Sequence, residues 1–369
     1  MKIGFITTIN TNIGDDFIRT GIENILYSLK DKSEIKFTYV NKHKPETEIL
    51  KNSIFGFLYK LPNFKGRRTL IRKFENHYTY LNYFFKNQDL IIQSGAPVLW
   101  QGCEKNEWAL PIWYNAIGKL KGKMPILNLA AGSCYPWENQ KAFYESPAEI
   151  QYAKDLGSFC NLTTTRDKLA NELFSYCGVD NVLMPCTAFF VDKNFENNNE
   201  SRYVLINYME GGGHFDWGQK IDKEVWEKTI ISLISELKKD HEIRFICHSN
   251  EEVKLAKKIA PDLMTCFPQN VEEYLECIKY AKLGINNRMH ASVAMASVGV
   301  PSISVCTDTR LLMLENIGAK FHYVKDLSEE LLINEAKSLI ENLKIERVRL
   351  FSLKKEKFEQ YRQLIKKYV

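Results

Sequence analysis

Arg288 and His290 stand two residues apart in GINNRMHASVAMASVGVPSISV, the stretch from Gly284 to Val305, where an apolar strand hands over to a helix of small residues. A guanidinium pairs bidentately with carboxylate or phosphate oxygens, and an imidazole titrates near neutral pH. The pair suits an anionic ligand and a proton transfer. A parallel α/β sheet carries its ligands at the carboxyl ends of its strands, so this junction is where a site is expected. A second arginine, Arg166, opens another strand-to-helix junction, with Asp167 placed to cap the helix. The strand SISVC runs into Thr307-Asp308-Thr309-Arg310, and the first strand into a loop that contains Asn12-Ile13-Gly14-Asp15, where the glycine permits a tight turn and an Asp can cap the next helix. Gly95 and Gly132 follow the apolar runs DLII and ILNLAA, in stretches of small residues that let a ligand approach the backbone.

Other polar groups carry weaker signals. Glu210-Gly211-Gly212-Gly213-His214-Phe215-Asp216 could expose backbone N–H groups to a phosphate, but the spacing fits neither GxGxxG nor the P-loop and reads as a turn. His214 and Asp216 are too few to hold a metal, and none is expected. His248 ends the run FICH and could line a cleft. The nine cysteines are scattered, and no two are spaced as CxxC. That pattern fits small core residues in a reduced, cytoplasmic compartment and no structural zinc.

The elements that must position these residues alternate along the chain. KIGFIT, IKFTYV, DLIIQS, PILNLAA, SFCNLTTT and NVLMPC are short apolar runs separated by amphipathic stretches such as DFIRTGIENILYSLK. Alternation of this kind predicts βαβ units and a parallel sheet. The polar stretch VDKNFENNNESR (191–202) interrupts as a linker, and the pattern restarts with RYVLINY, EIRFICH, LMTCF, KLGINN, PSISVC and KFHYV. A chain of 369 residues exceeds what one hydrophobic core supports. The expected architecture is α/β, two Rossmann-like doubly wound domains facing one another across a cleft. The first covers 1–190 and the second 203–345, with a basic helix over 346–369 that crosses back to brace the first.

With 45% hydrophobic and 26% charged residues the composition is that of an ordinary globular protein, and the net charge of +5 is too mild to imply nucleic acid. No apolar run approaches the roughly 18 residues that cross a bilayer. Met1-Lys2-Ile3-Gly4-Phe5-Ile6 reads as a buried strand and not as a secretory signal. Two basic stretches stand out: Lys60 to Lys73, and Lys344 to Val369 with nine Lys or Arg against three Glu. They read first as solvated helix faces, with peripheral contact to an anionic membrane as the alternative.

The order of motifs resembles the polysaccharide pyruvyl transferase family over nearly the whole chain. The strongest element is Arg288-x-His290-Ala291 followed by Gly299-x-Pro301, with Asp308 and Arg310 beyond the next strand; NIGD (12–15), Arg166-Asp167 and the glycines at 95 and 132 complete it. The resemblance implies a GT-B-like fold and transfer of pyruvate from phosphoenolpyruvate to a sugar of a cell-surface polysaccharide or glycolipid, forming a ketal. It implies catalytic roles for His290 and Asp15, and donor binding by Arg288, Arg166, Asn12, Gly14, Gly95, Asp308 and Arg310. His290 would act as an acid with a pKa near working pH, or would donate to the departing phosphate. No cofactor is expected, phosphoenolpyruvate being the donor substrate, and the acceptor is a sugar or lipid-linked oligosaccharide. The donor would lie on the second domain and the acceptor on the first. A GT-B glycosyltransferase using a nucleotide sugar is the rival reading, and a non-catalytic scaffold of a glycan-assembly complex the third.

Overall fold

The computed structural model describes residues 1–9, 12–43, 66, 69, 84–215 and 217–369. Within them every apolar run named above forms a strand. The first sheet is built from β1 (Lys2–Thr7), β2 (Lys36–Asn41), β3 (Leu90–Trp100), β4 (Ile126–Cys134), β5 (Leu162–Thr165) and β6 (Val182–Leu183), in the order β2-β1-β3-β4-β5-β6. The second contains β7 (Tyr203–Asn207), β8 (Glu242–Ile246), β9 (Met264–Cys266), β10 (Ala281–Asn286), β11 (Ser302–Cys306) and β12 (Lys320–Tyr323), in the order β12-β11-β10-β7-β8-β9. All pairings within both sheets are parallel. The second order is the Rossmann arrangement, read from β7 as the first strand.

Strands buried on both faces explain the continuous apolar runs. β4 is buried at all nine positions and β7 at all five. The inward faces of the two sheets share one core, in which Ile3, Phe5 and Ile92 of the first sheet join Leu205, Ile246 and Ala281 of the second. Packed into it are α1 (Ile13–Tyr27), through Phe17, Ile18 and Ile22, and α7 (Met289–Ser297), through Val293 to Ala296. The outer faces have separate cores, one around Val40, Ile91 and Trp113 and the other around Val204, Phe245 and Val305.

Between these elements run α2 (Pro147–Phe159), α3 (Lys168–Tyr176), α4 (Lys223–Leu237), α5 (Asn250–Ile259) and α6 (Val271–Ile278), and the chain closes with α8 (Glu329–Glu341) and α9 (Leu343–Lys366). Asp167 caps α3 as expected, and Asn12, Ser146, Asp222, Ser249 and Asn270 each likewise accept from a first-turn N–H. α1 begins at Ile13, ahead of the expected Asp16, because Asn12 and not an aspartate caps it.

Helix α9 crosses back over the first sheet, where Tyr361 donates to Pro185 O at 3.0 Å and Arg362 to Ser28 O at 3.3 Å. Several of its basic residues point inward onto carbonyls. Lys354 is fully buried and donates to Asp192 O, Asn194 O and Ser297 O, and Arg347 and Arg349 reach Asn197 O and Ile317 O. The Lys60–Lys73 stretch, apart from Gly66 and Thr69, lies outside the described residues, as does Asp216. No helix among the described residues is long and apolar enough to cross a membrane.

Candidate functional site

A doubly wound sheet opens a crevice where its strand order reverses. In the second sheet that point lies between β7 and β10, and in the first between β1 and β3. The loops after β7, β8 and β10 and the loop after β1 converge on one narrow cavity, lined by Asn12, His214, His248, Asn287, Arg288, Met289, His290 and Arg310. A larger one, of about 510 Å³, adjoins it and shares Asn12, His214, His248 and Arg288 while adding Glu210, Ser249, Glu251, Glu252 and Leu255.

The chain leaves β10 after Asn286, so Arg288 is the first flanking residue of α7 and His290 lies in its first turn, not at the end of a strand. Two asparagines set this turn. Asn207 Oδ1 accepts from Arg288 N at 2.9 Å, and Asn287 Oδ1 accepts from Met209 N at 2.8 Å. No side chain caps α7, whose first N–H groups therefore lie beside a cavity lined by the same residues. An uncapped helix N-terminus favours an anion.

Arg288 is held by Glu252, whose Oε1 accepts from Nε at 2.8 Å and from Nη2 at 2.6 Å. Glu252 is 2% exposed and also accepts from His248 N and Asn207 Nδ2. Burial alone would raise its carboxyl, but Arg288 and His248 hold it below the usual carboxylate range. Arg310 is clamped in the same way by the fully buried Asp308, at 2.8 and 2.6 Å, and its guanidinium lies 4.9 Å from the Phe215 ring centre. With each arginine paired to a carboxylate, the cavity keeps directional N–H donors at little net charge. Three histidines complete it. Burial depresses His214, helped by Arg288 and Arg310; it pushes His248 down to about 4; and it lowers His290 well below its ordinary value, with Arg166 as the next cause.

Arg166 does not line this cavity. It is fully buried behind His290, and its Nη1 donates to His290 Nε2 at 3.1 Å. Arginine has no acceptor, so Nε2 must present its lone pair and the ring proton sits on Nδ1. His290 is thus a neutral imidazole, which corrects the expectation of a pKa near working pH. Two glycines make room for the pair: a Cβ at Gly132 would lie 2.4 Å from Arg166 Nε, and one at Gly14 would lie 2.6 Å from His290 Nδ1. Asp167 anchors the next helix, accepting from Ala170 N, Ser133 N and Ser133 Oγ at 2.8 Å each.

Gly95 has a different role from the expected one. β3 continues to Trp100, so Gly95 lies within a strand, and its Cβ would meet Ile18 Cγ2 of α1 at 2.6 Å. It admits the helix and not a ligand. Asp15, in the first turn of α1, is half-buried and lies in the field of Lys42. Lys42, His214 and Glu252 were missed as site residues by sequence reasoning. His214 and Glu252 occupy loops after strands, which was the available signal; Lys42 sits in NKHKPE, where its neighbours suggest only a basic surface. Among the described residues no group of three or more His, Cys, Asp or Glu is arranged to hold a metal.

The sequence profile of polysaccharide pyruvyl transferases matches residues 12–308, which takes in strands of both sheets and the site residues from Asn12 to Asp308. The chain belongs to that family. No curated protein matches its sequence. For this family member, solved structures establish the fold class independently. The UDP-GlcNAc 2-epimerase of Neisseria meningitidis bound to UDP-GlcNAc is 12% identical over 95% of this chain and 94% of its own, with a TM-score of 0.54. The UDP-GlcNAc 2-epimerase of Methanocaldococcus jannaschii is 14% identical over 92% and 93%, with a TM-score of 0.54. MurG of Acinetobacter baumannii is 12% identical over 99% of both chains, with a TM-score of 0.50. At such identities the likeness concerns the fold alone, which is the GT-B arrangement of two Rossmann-like domains.

Proposed function

We propose that this transferase moves pyruvate from phosphoenolpyruvate onto two hydroxyls of a glycan sugar. The observation that carries the reading is the N-terminus of α7, which no side chain caps, with Arg288 flanking it and His290 in its first turn, opening where the switch points of both sheets meet. The donor phosphate lies there, held by backbone N–H groups, Arg288 and Arg310. A hydrogen bond from His290 Nδ1–H strengthens as negative charge gathers on the departing phosphate, which is the kind of interaction that lowers a barrier.

The proton balance closes. C3 of the donor takes a proton from solvent and becomes a methyl group as one sugar hydroxyl adds to C2 and loses its proton to Asp15, which returns it to solvent. The second hydroxyl then displaces phosphate from C2, and its proton leaves with the phosphate. Neither step calls for a metal or a cofactor.

A nucleotide sugar is the competing donor, since an epimerase of this fold was solved with UDP-GlcNAc. The lining of the larger cavity favours a sugar acceptor instead: Glu251 and Ser249 suit sugar hydroxyls, and Glu251 repels a diphosphate, while Glu210 is paired with Lys223. Thermal shift against phosphoenolpyruvate, UDP and UDP-sugars tests the choice. Stabilisation by phosphoenolpyruvate and not by the nucleotides is expected, and the reverse pattern would replace pyruvyl transfer with glycosyl transfer.

A further inference from the structure

At the carboxyl side of the first sheet, four neighbouring strands each bring a buried polar group that finds no partner among the described residues, and a fifth brings a buried lysine. Thr8 Oγ1 follows β1; Gln93 Oε1 lies in β3 and both side-chain atoms of Asn128 in β4; Arg166 Nε and Nη2 follow β5. Lys42 follows β2. It is 2% exposed, its backbone N donates to Thr7 O at 2.9 Å, and no described residue accepts a hydrogen bond from its ammonium. Val40, Ile6, Gln93 and Asn128 are successive register partners, so Gln93 and Asn128 share a face with Val40, and Lys42 lies two residues beyond it.

Buried polar groups in folded proteins are nearly always satisfied, and an unpaired buried ammonium is more costly still. The Lys42 Nζ lies 5.7 Å from the Trp108 ring centre, near the distance limit of a cation–π contact and too weak to offset the burial. Burial depresses this ammonium, with Asp15 acting against the shift and Arg166 adding to it, which puts all three groups in one another's field. Asp167 shares the field of Arg166 as well, so the two cations face two carboxylates, while Lys42 itself has no carboxylate within hydrogen-bonding distance among the described residues.

We propose that Lys42, together with Arg166, forms a carboxylate subsite in the first domain, so that one substrate is held by its carboxylate here while the second domain holds the phosphate. The inference builds on the proposed reaction, whose donor carries both groups. Cations already balanced by Asp15 and Asp167 suit a singly charged carboxylate better than a dianionic phosphate, and the unpartnered amide of Asn128 and hydroxyl of Thr8, on the same edge of the sheet, offer neutral hydrogen bonds.

The test is Lys42→Met, which keeps the length of the chain and removes the charge. In the full-length protein without ligands its Tm should rise by a few degrees, because an unpaired buried charge is gone. The Kd for phosphoenolpyruvate without acceptor should weaken by about tenfold or more, while that for inorganic phosphate stays within about twofold. If donor binding holds and only the KM for an acidic acceptor rises, the carboxylate belongs to the acceptor and the subsite stands. A fall in Tm with ligand affinities unchanged would mark Lys42 as a structural partner of Trp108 and overturn the proposal. So would a changed pH profile of kcat without any change in affinity, which would assign Lys42 to tuning Asp15. Pyruvate alone separates this from the proposed reaction: if phosphoenolpyruvate fails to bind the wild type but pyruvate stabilises it and not the variant, the reaction is wrong and the subsite remains. If pyruvate stabilises neither or both, with donor affinity unaltered, the subsite fails.

Discussion

The Nη1 of Arg166 donates to Nε2 of His290 at 3.1 Å, and this contact joins the carboxyl edges of the two sheets. It fixes the imidazole as the neutral Nδ1–H tautomer, so the two ring nitrogens have different duties. Amide substitutions separate them. Asparagine places its N–H near the position of Nδ1 and glutamine near that of Nε2. His290→Asn should therefore retain more kcat than His290→Gln, by about tenfold if the Nδ1 bond contributes in the transition state. Equal losses, or losses confined to KM for the donor, would reassign the ring to ground-state phosphate binding.

Close approach of α1 and α7 depends on Gly14. With an alanine there, the Cβ would lie 2.6 Å from His290 Nδ1, so the ring must shift. Gly14→Ala should lower kcat at least about tenfold while stability changes by no more than roughly 1–3 kcal/mol, the usual cost of overpacking. A fully active Gly14→Ala protein would show that the ring's position is not used.

Arg288 combines a salt bridge to buried Glu252 with free N–H donors toward the cavity. Arg288→Lys keeps the charge and loses the fork, so donor affinity should fall about tenfold to a hundredfold with the fold intact. Arg288→Met leaves Glu252 unpaired and should cost about 3 kcal/mol of stability as well, measured by denaturant unfolding. Loss of stability in both variants with unchanged donor binding would make Arg288 purely structural.

The histidine cluster gives two pH dependences of known sign. His248 is pushed down to about 4 by burial, so the unfolded chain, whose histidines titrate near about 6.5, binds more protons between those values. Its contribution is therefore intact above about pH 6.5 and is lost as pH falls toward 4, at most roughly 3 kcal/mol. Donor binding has the opposite trend. An anion beside Arg288 and Arg310 offsets their charge and raises His214 and His248, so binding takes up protons and the Kd should tighten from pH 8 to pH 6. Calorimetry in buffers of different ionisation enthalpy measures the uptake directly, and a flat or reversed profile would remove the histidines from the donor site.

Lys354 bolts the final helix to three carbonyls from complete burial. Lys354→Met should cost about 3 kcal/mol or more, because the carbonyls lose a charged donor. An unaltered Tm would show that the brace is dispensable.

Much of this protein is determined locally. Apolar runs alternate with amphipathic stretches, and that rhythm specifies β1 to β12 and their parallel pairing, most firmly for central strands such as β4 and β7, which are buried on both faces and leave no polar alternation to confuse them. Arg288, His290, Arg166, Asp308 and Arg310 were legible for the same reason: they stand at strand ends, where a doubly wound sheet must place its ligands. What each does there was decided by tertiary contacts. Arg166 reads as a surface or ligand arginine until β4 and α7 close over it; Gly95 reads as a loop glycine until β3 runs on beneath α1. Lys42 is the clearest case. Its neighbours in NKHKPE suggest a solvated chain, and only the packing of Trp108 and the neighbouring strands buries it. The tautomer of His290 depends on Arg166, 124 positions away, and the pairing of Arg288 on Glu252, 36 positions away, and no local pattern encodes either contact.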